Sequence, residues 1–364
     1  MIKKNYIYKI HSKMSDNKNS LVPKFKSIIT KHINYTPLDV HWLPYSSKLV
    51  SIGESLDSKG ILQIYNLHRG RLSLESEYIQ DFPSKCCSFG ISSFASRDLA
   101  LGDFDGNLSI IDLERGVPNY EIKKAHKDII HSIDGLGIKN NLNYSRSSEL
   151  VTGGKDGFVK IWDLRSDKPC LTLEPKDIKK NFPECWTVEY GDWGPSTKLG
   201  IGYDNGDIKI FDLRMDKVLF GENLKNGICS IEFDKKNIPL NKMTVTTLGS
   251  KLYLYDLNNL EQNSNNKCKK LYDEVNTTIW GTKFLPQKRN IFVSLGGDGT
   301  LNLYKYENSE FNNDNEKVRM ISTNNICTAP IIGFDWHSIK NGLTCLVSLD
   351  HTVKICICSD MNLM

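Results

Sequence analysis

A strand-turn-strand pattern occurs seven times along this chain, at intervals of 43 to 52 residues. Its clearest copies are GGKDGFVKIWDLR at 153–165 and GYDNGDIKIFDLR at 202–214, where an Asp-Gly or Asn-Gly pair precedes an alternating strand. Such pairs favour two-residue hairpin turns, and repeats of about 40–50 residues built only of strands are typical of propeller blades. The sequence therefore predicts an all-β fold, a seven-bladed β-propeller. The turn position falls at Gly60, Gly106, Gly157, Gly206, Gly249, Gly299 and His351.

Seven blades also explain how 364 residues form one domain. A single core stops growing at roughly 250–300 residues, whereas a propeller blade buries its faces only against its neighbours. We expect a propeller over residues 24–364 and a basic, disordered tail over residues 1–23. Because the last repeat ends at Cys358 with no fourth strand after it, Ser27 to Thr30 are predicted to supply that strand and close the ring.

Charge separates the tail from the rest of the chain. The net charge is +4, but residues 1–31 hold eight lysines against one aspartate, so the remainder is mildly acidic. That sign disfavours nucleic acid as the main ligand, because phosphate recognition usually needs a clustered basic face. No apolar run fits a secretory signal or a membrane span, which predicts a cytoplasmic protein without membrane contact. The ten cysteines follow no pattern and are interpreted as thiols of a reducing compartment.

Three polar stretches interrupt the repeats. They are an irregular insert at 138–149 and Asn-rich segments at 260–270 and 307–319. Such compositions bury too little apolar surface to offset the entropy lost on ordering. We expect mobile loops at 260–270 and 307–319.

The W-D dipeptide at 162–163, the turn aspartate before Gly157 and an A-H pair at 125–126 resemble the WD-repeat family. In that family a histidine, a hydroxyl residue, the turn aspartate and the tryptophan form a buried hydrogen-bond relay. A relay of this kind satisfies a buried carboxylate and stabilises the fold, without a catalytic role. The resemblance implies that the relay here consists of His126, Thr152, Asp156 and Trp162.

Longer segments resemble a narrower group within that family. NYTPLDVHWLPYSSKLVSIG at 34–53, LKNGICSIEFDKKN at 224–237 and TTIWGTKFLPQKRNIFVSLGG at 277–297 are similar to its dynein axonemal assembly factors. The resemblance runs from about Ile28 to Cys356 and implies a non-catalytic, monomeric adaptor in the cytoplasmic assembly of axonemal dynein arms. The implied partners are proteins, namely the prefoldin-like and RuvB-like ATPase co-chaperone complex and the axonemal dynein chains.

Residues at the starts of the innermost strands are candidates for a protein-binding face. Large aromatic side chains with few neighbouring charges fit such a face, since tryptophan and tyrosine dominate binding energy at interfaces. The alternative is that these side chains pack between the blades, and the sequence does not decide between the two. The candidates are Tyr35, Cys185, Trp186, Ile228, Thr278 and Trp280.

A second hypothesis comes from the ends of two blades. WDLR at 162–165 and FDLR at 211–214 resemble the W-D-x-R box with which substrate receptors of cullin-type ubiquitin ligases engage their linker. The candidate box residues are Asp163, Arg165, Asp212 and Arg214. Exposed strand-end charges are the simpler interpretation.

Motifs for chemistry are weak in this sequence. DFDGNLSIIDLE at 103–114 has the spacing of a calcium loop, but Leu108 stands where glycine is required and the flanks predict strands. We find no spacing typical of a nucleotide site, a nucleophile elbow or a zinc protease. The sequence thus predicts no enzyme, no metal and no cofactor.

Overall fold

Strands make up almost all of the regular structure. The computed structural model describes residues 22–91, 97–135, 149–175, 182–193, 196–235, 240–257, 268–271, 277–307 and 317–361. In this part of the chain no helix is long and apolar enough to cross a membrane. The predicted tail up to residue 21, and most of the predicted mobile loops, lie outside the described residues.

The strands form seven four-stranded antiparallel sheets. Strand β1 (Phe25–His32) belongs to the last sheet. Blade 1 consists of β2 (Thr36–Trp42), β3 (Lys48–Glu54), β4 (Gly60–His68) and β5 (Arg71–Gln80), and blade 2 of β6 (Ser84–Ser88), β7 (Asp98–Asp103), β8 (Leu108–Asp112) and β9 (Val117–Ile122). Blade 3 consists of β10 (Ile130–Gly135), β11 (Glu149–Gly154), β12 (Val159–Asp163) and β13 (Pro169–Leu173).

The second half of the chain repeats this plan. Blade 4 consists of β14 (Cys185–Trp193), β15 (Ser196–Tyr203), β16 (Asp207–Asp212) and β17 (Lys217–Asn223), and blade 5 of β18 (Ile228–Phe233), β19 (Lys242–Thr247), β20 (Leu252–Asp256) and β21 (Cys268–Leu271). Blade 6 consists of β22 (Ile279–Leu285), β23 (Lys288–Gly296), β24 (Thr300–Glu307) and β25 (Lys317–Asn325). Blade 7 contains β26 (Ile331–Trp336), β27 (Leu343–Ser348) and β28 (Thr352–Cys358), with β1 as its outermost strand.

The first and last strands close the ring. Strand β1 pairs with β28 from Phe25 opposite Cys358 to His32 opposite Thr352. The prediction that Ser27 to Thr30 complete the last blade is therefore confirmed. The first strand of each blade contacts the first strand of the next, and β26 contacts β2, so these seven strands surround a common axis. The predicted seven-bladed propeller is confirmed.

Apolar packing lies between the blades. Seven clusters of buried side chains occur, and each combines residues of two neighbouring blades. One example joins Val50 and Leu62 of blade 1 to Leu99 and Ile111 of blade 2. Each interface removes both facing surfaces from water, which explains why one long chain needs no single large core.

Two predicted loops contribute strands at their ends. The stretch 260–270 was expected to be a mobile loop, but residues from Cys268 onward form β21 and pair with β20. Likewise, Lys317 to Arg319 begin β25, which pairs with β24. Without a fourth strand, the outer edge of each third strand would have unpaired backbone groups. Polar residues can form this fourth strand, because strand pairing satisfies backbone groups whatever the side chains are. Residues 258–267 and 308–316 are outside the described part of the chain.

Candidate protein-binding face

Each of the seven innermost strands contains a β-bulge near its start. The register shifts by one residue at the same level in every blade. A β-bulge changes the direction in which one side chain points. Here all seven bulged residues line the end of the central channel at which the inner strands begin. We call this end the channel mouth and the seven residues the bulge ring. They are Leu38, Lys85, His131, Trp186, Cys229, Trp280 and Ile332.

The bulge separates neighbouring residues that the sequence analysis grouped together. Cys185 and Ile228 come directly before a bulge and are fully buried between blades, whereas Trp186 and Cys229 line the channel. Tyr35 is also buried, with its hydroxyl donating to Ser51 Oγ at 2.8 Å. For Tyr35, Cys185 and Ile228 the structure therefore shows the packing alternative, and they are not part of an accessible face.

Five members of the bulge ring form a continuous apolar arc over blades 4, 5, 6, 7 and 1. Two leucines in the turns between second and third strands, Leu248 and Leu349, also line the channel mouth. Trp280 is 40% exposed, and Leu248 and Leu349 are 44% and 39% exposed. Exposed apolar side chains grouped in this way mark interaction surfaces in soluble proteins. We define the apolar arc as Trp186, Cys229, Leu248, Trp280, Ile332, Leu349 and Leu38.

Backbone contacts hold the two tryptophans of the arc in place. The Trp186 ring lies so close to Gly227 that a Cβ atom there would be 2.8 Å from a ring carbon. The Leu248 amide donates to the Gly227 carbonyl at 2.8 Å, and Thr278 Oγ1 donates to the Leu248 carbonyl at 3.3 Å. Thr278 then leads into the bulge at Trp280. Blades 4, 5 and 6 therefore present one preorganised surface.

Blades 2 and 3 give the mouth a basic side. Lys85 and His131 occupy their bulge positions, and both are partly exposed. Glu184 Oε2 bonds to His131 Nε2 at 3.2 Å and accepts a bond from Trp186 Nε1 at 3.1 Å. Burial lowers the pKa of His131, and Lys85 and Lys155 lower it further, against the opposing effect of Glu184. Glu184 thus orients Trp186 at the boundary between the basic side and the apolar arc.

Below the mouth, the channel has a cavity volume of about 1050 Å³. Its wall is rich in carboxylates that are already engaged, because they accept bonds from the backbone of the next blade. These bonds join Asp335 to the Trp42 amide at 2.9 Å, Asp134 to the Tyr190 amide at 2.9 Å and Glu189 to the Phe233 amide at 3.0 Å. They tie neighbouring inner strands together and favour a structural role for the wall.

A partly exposed cation adds to this wall in blade 6. Lys283 Nζ donates to Glu232 Oε2 at 2.8 Å. Burial alone would lower the pKa of Lys283, but Glu232, Glu189 and Asp335 together raise it, so the ammonium group stays charged. This lysine joins the inner strands of blades 5 and 6.

His41 makes the corresponding connection between blades 7 and 1. Its Nε2 lies 3.4 Å from Asp39 Oδ2 and its Nδ1 lies 3.5 Å from Asp335 Oδ2. Burial favours the neutral imidazole, but the charges and hydrogen bonds of Asp39 and Asp335 outweigh burial and raise the pKa of His41 to about 10. We call Asp39, His41 and Asp335 the histidine clasp.

The same region contains the one candidate metal-ligand set in the described residues, formed by Asp39, His41 and Cys87. Their ligand atoms lie within 4.8 Å of one another. Asp39 Oδ2, however, also accepts the Cys87 amide at 3.2 Å, and burial raises the pKa of the Cys87 thiol well above its ordinary value. Asp39 is thus already engaged by His41 and by the Cys87 amide, an arrangement that fits an ion pair between the inner strands.

The four relay residues meet in blade 3. His126 Nδ1 lies 2.9 Å from Asp156 Oδ1, and its Nε2 lies 2.8 Å from Thr152 Oγ1. Trp162 Nε1 donates to the same Thr152 oxygen at 2.8 Å. Burial raises the pKa of Asp156, but His126 and two backbone amides outweigh it and lower that pKa overall. The imidazole therefore bridges a carboxylate and a hydroxyl inside the blade.

Blade 1 contains a related contact that the sequence analysis missed. Ser51 occupies the place of Thr152, as the fourth residue of its second strand, and its hydroxyl accepts the bond from Tyr35. Tyr65 stands at the tryptophan position of this blade and is equally buried. A tyrosine thus reaches the central hydroxyl from the preceding loop, in the role that histidine has in blade 3.

The two candidate ligase boxes differ from each other. Arg165 Nε lies 2.9 Å from Asp163 Oδ1, and the Arg165 side chain is 78% exposed. Asp212 is instead buried and pairs with Lys198, while the Arg214 amide donates to Asp212 Oδ1 at 2.8 Å. Only the first box presents its arginine together with an exposed carboxylate. A linker protein would have to displace Asp163 from Arg165.

The closed ring, the blade-3 relay and the apolar mouth define a seven-bladed propeller of the WD-repeat class. Comparison with known proteins is more specific. The chain belongs to the dynein axonemal assembly factor 10 family. It is 37% identical to the human protein of that name over 356 residues, which cover 93% of this chain and 98% of the human protein. The Chlamydomonas reinhardtii protein is 35% identical, with the same coverage of both chains.

A more distant relative with the same name occurs in Dictyostelium discoideum. It is 28% identical over 375 residues, which cover 94% of this chain and 98% of the relative. No family model matches the sequence.

Proposed function

We propose that this chain is a non-catalytic scaffold that binds other proteins through the apolar arc during the assembly of axonemal dyneins. The observation that carries the proposal is the group of Trp280, Leu248 and Leu349, each about two-fifths exposed at the channel mouth. Tryptophan and aliphatic anchors on a preorganised surface provide most of the energy at protein interfaces. The names of the relatives support the dynein role.

The partners that we propose are axonemal dynein chains and the prefoldin-like and RuvB-like ATPase co-chaperone complex, with the cytoplasm as the place of action. Similarity over nearly the full length of the relatives supports a shared function. The arc spans five blades, so a partner would contact residues that lie far apart in sequence. Only the closed ring brings these residues together.

The channel chemistry supports a role without catalysis. Its carboxylates accept backbone amides, and Lys283 and His41 are held by carboxylates. Burial keeps the Cys87 thiol protonated, which removes the thiolate that a cysteine nucleophile requires. These groups are arranged to join strands.

Affinity purification from ciliated cells tests the proposal. The double variant Trp280→Ala/Leu248→Ala should recover at least about tenfold less dynein chain and co-chaperone than the wild type, because buried anchors at interfaces contribute roughly 2 kcal/mol or more each. The matched control is Tyr45→Ala/Ile339→Ala, which removes two exposed apolar side chains at the opposite end of the channel. Unchanged recovery by a folded mouth variant would contradict the proposal.

A further inference from the structure

Lys85 is a cation at the channel mouth without a charged partner among the described residues. Within the described part of the chain its ammonium group makes no hydrogen bond or ion pair. Elsewhere in the channel, Lys283 pairs with Glu232, and His41 lies between Asp39 and Asp335. Lys85 contributes to the lowered pKa of the neighbouring His131, which favours the neutral imidazole, so Lys85 carries the positive charge on this side of the mouth.

Lys85 lies in the bulge ring next to one end of the apolar arc. Leu38 stands beside it on the blade-1 side, and the apolar arc continues from there through blade 7 to blade 4. A chain segment that crosses the mouth therefore meets apolar side chains on one side and a half-buried ammonium on the other. Covering the arc removes water from around Lys85, and an unpaired charge in that position is unfavourable. A carboxylate on the incoming segment would compensate it.

We propose that the channel mouth binds a segment of a partner protein whose apolar side chains cover the apolar arc and whose aspartate or glutamate side chain pairs with Lys85. This inference rests on the proposed function and adds the chemistry of the partner to it. The apolar contacts supply affinity, and the single ion pair fixes the direction in which the segment crosses the mouth.

Binding of defined peptide pools to the full chain tests this inference. The probes are fluorescein-labelled nonapeptides, acetylated and amidated, with mixed Leu, Phe, Trp, Ala, Ser and Gly around a central Glu, Gln or Lys. Fluorescence polarisation gives the affinity of each pool. The wild type should prefer the Glu pool to the Lys pool by about tenfold or more, as expected for a close charge pair at an interface.

Variants separate the ion pair from the apolar contacts. Lys85→Glu should reverse the preference between the Glu and Lys pools, and Lys85→Gln should abolish it. Lys340→Glu makes the same charge change at an exposed site on the opposite end of the molecule and should leave the preference intact. Melting temperatures of these variants should stay close to that of the wild type, because the Lys85 ammonium makes no hydrogen bond or ion pair with the described residues.

The outcomes distinguish this inference from the proposed function. Equal affinities of the three pools for the wild type, no binding by any pool, or an unchanged preference in Lys85→Glu would overturn the pairing with Lys85. If the three pools bound equally, or if Lys85→Glu kept the preference, but Trp280→Ala still weakened binding, the apolar arc would remain the binding surface. If Trp280→Ala changed nothing in any pool, binding at the mouth itself would be contradicted.

Discussion

At the scale of single residues, the Thr152 hydroxyl is the central point of the blade-3 relay. It contacts both His126 Nε2 and Trp162 Nε1 at 2.8 Å inside a fully buried site. Thr152→Val keeps the shape of the side chain but leaves the indole N–H without its acceptor. We expect a loss of about 1–3 kcal/mol in the free energy of unfolding, the cost of an unsatisfied buried donor.

Thermal unfolding of the purified variant measures this loss. Thr172→Val is the matched control, because Thr172 is exposed on the outermost strand of the same blade. Exposed substitutions usually change stability by less than about 0.5 kcal/mol. Equal melting temperatures for the two variants would show that the relay does not stabilise the fold.

Single residues also show which parts of the candidate site could be predicted from the sequence and which could not. The relay followed from the resemblance to the WD-repeat family, which rests on the W-D dipeptide, the turn aspartate and the A-H pair. The orientation of Tyr35 could not be inferred, since a tyrosine before an inner strand either reaches Ser51 or faces the channel. Leu248 and Leu349 were missed because they occupy turn positions, whereas the predicted face was confined to the starts of the innermost strands.

At the scale of elements, the bulges explain which side chains the inner strands present. Simple alternation places every second residue inside, but here buried residues are three apart, as in Ile130 and Ile133 or Ile228 and Ile231. The extra residue between them is the one that the bulge turns towards the mouth. Two apolar residues spaced three apart within a strand were thus the sequence signal for a bulge. An interpretation that assumes strict alternation of buried and exposed residues could not detect it.

The histidine clasp joins the inner strands of blades 7 and 1 and predicts a pH dependence. The pKa of His41 is raised from 6.5 to about 10, so its stabilising contribution is complete below about pH 6.5 and is lost as pH rises towards 10. Over this interval the wild type should lose on the order of 2 kcal/mol more stability than His41→Gln, which has no charge to lose.

Denaturation profiles across this pH range provide the check. His68→Gln, at an exposed position at the end of β4, is the control and should follow the wild type. Parallel profiles for the wild type and His41→Gln would mean that the clasp is not charged in the folded protein.

At the scale of the whole molecule, β1 supplies the outermost strand of blade 7 and covers the outer edge of β28. A chain that begins at Ile33 lacks β1 and exposes the backbone of β28. It also loses Phe25, which packs between blades 6 and 7 with its ring centroid 5.7 Å from that of Trp336. We expect this truncated chain to aggregate, because exposed edges recruit further strands.

Size-exclusion chromatography tests this expectation against a second truncation that begins at Val22 and keeps β1. The second protein should elute as a monomer. A monomeric, stable chain that starts at Ile33 would show that β1 does not close the ring in solution.

The central claim is that the closed ring binds its partners at the channel mouth. Photo-crosslinking tests this claim most directly, with p-benzoylphenylalanine introduced at Leu248 in the mouth or at Ile339 on the opposite end. We expect adducts with a dynein chain or a co-chaperone subunit from position 248 and none from position 339. Adducts from 339 alone would contradict it and place recognition on the other face of the propeller.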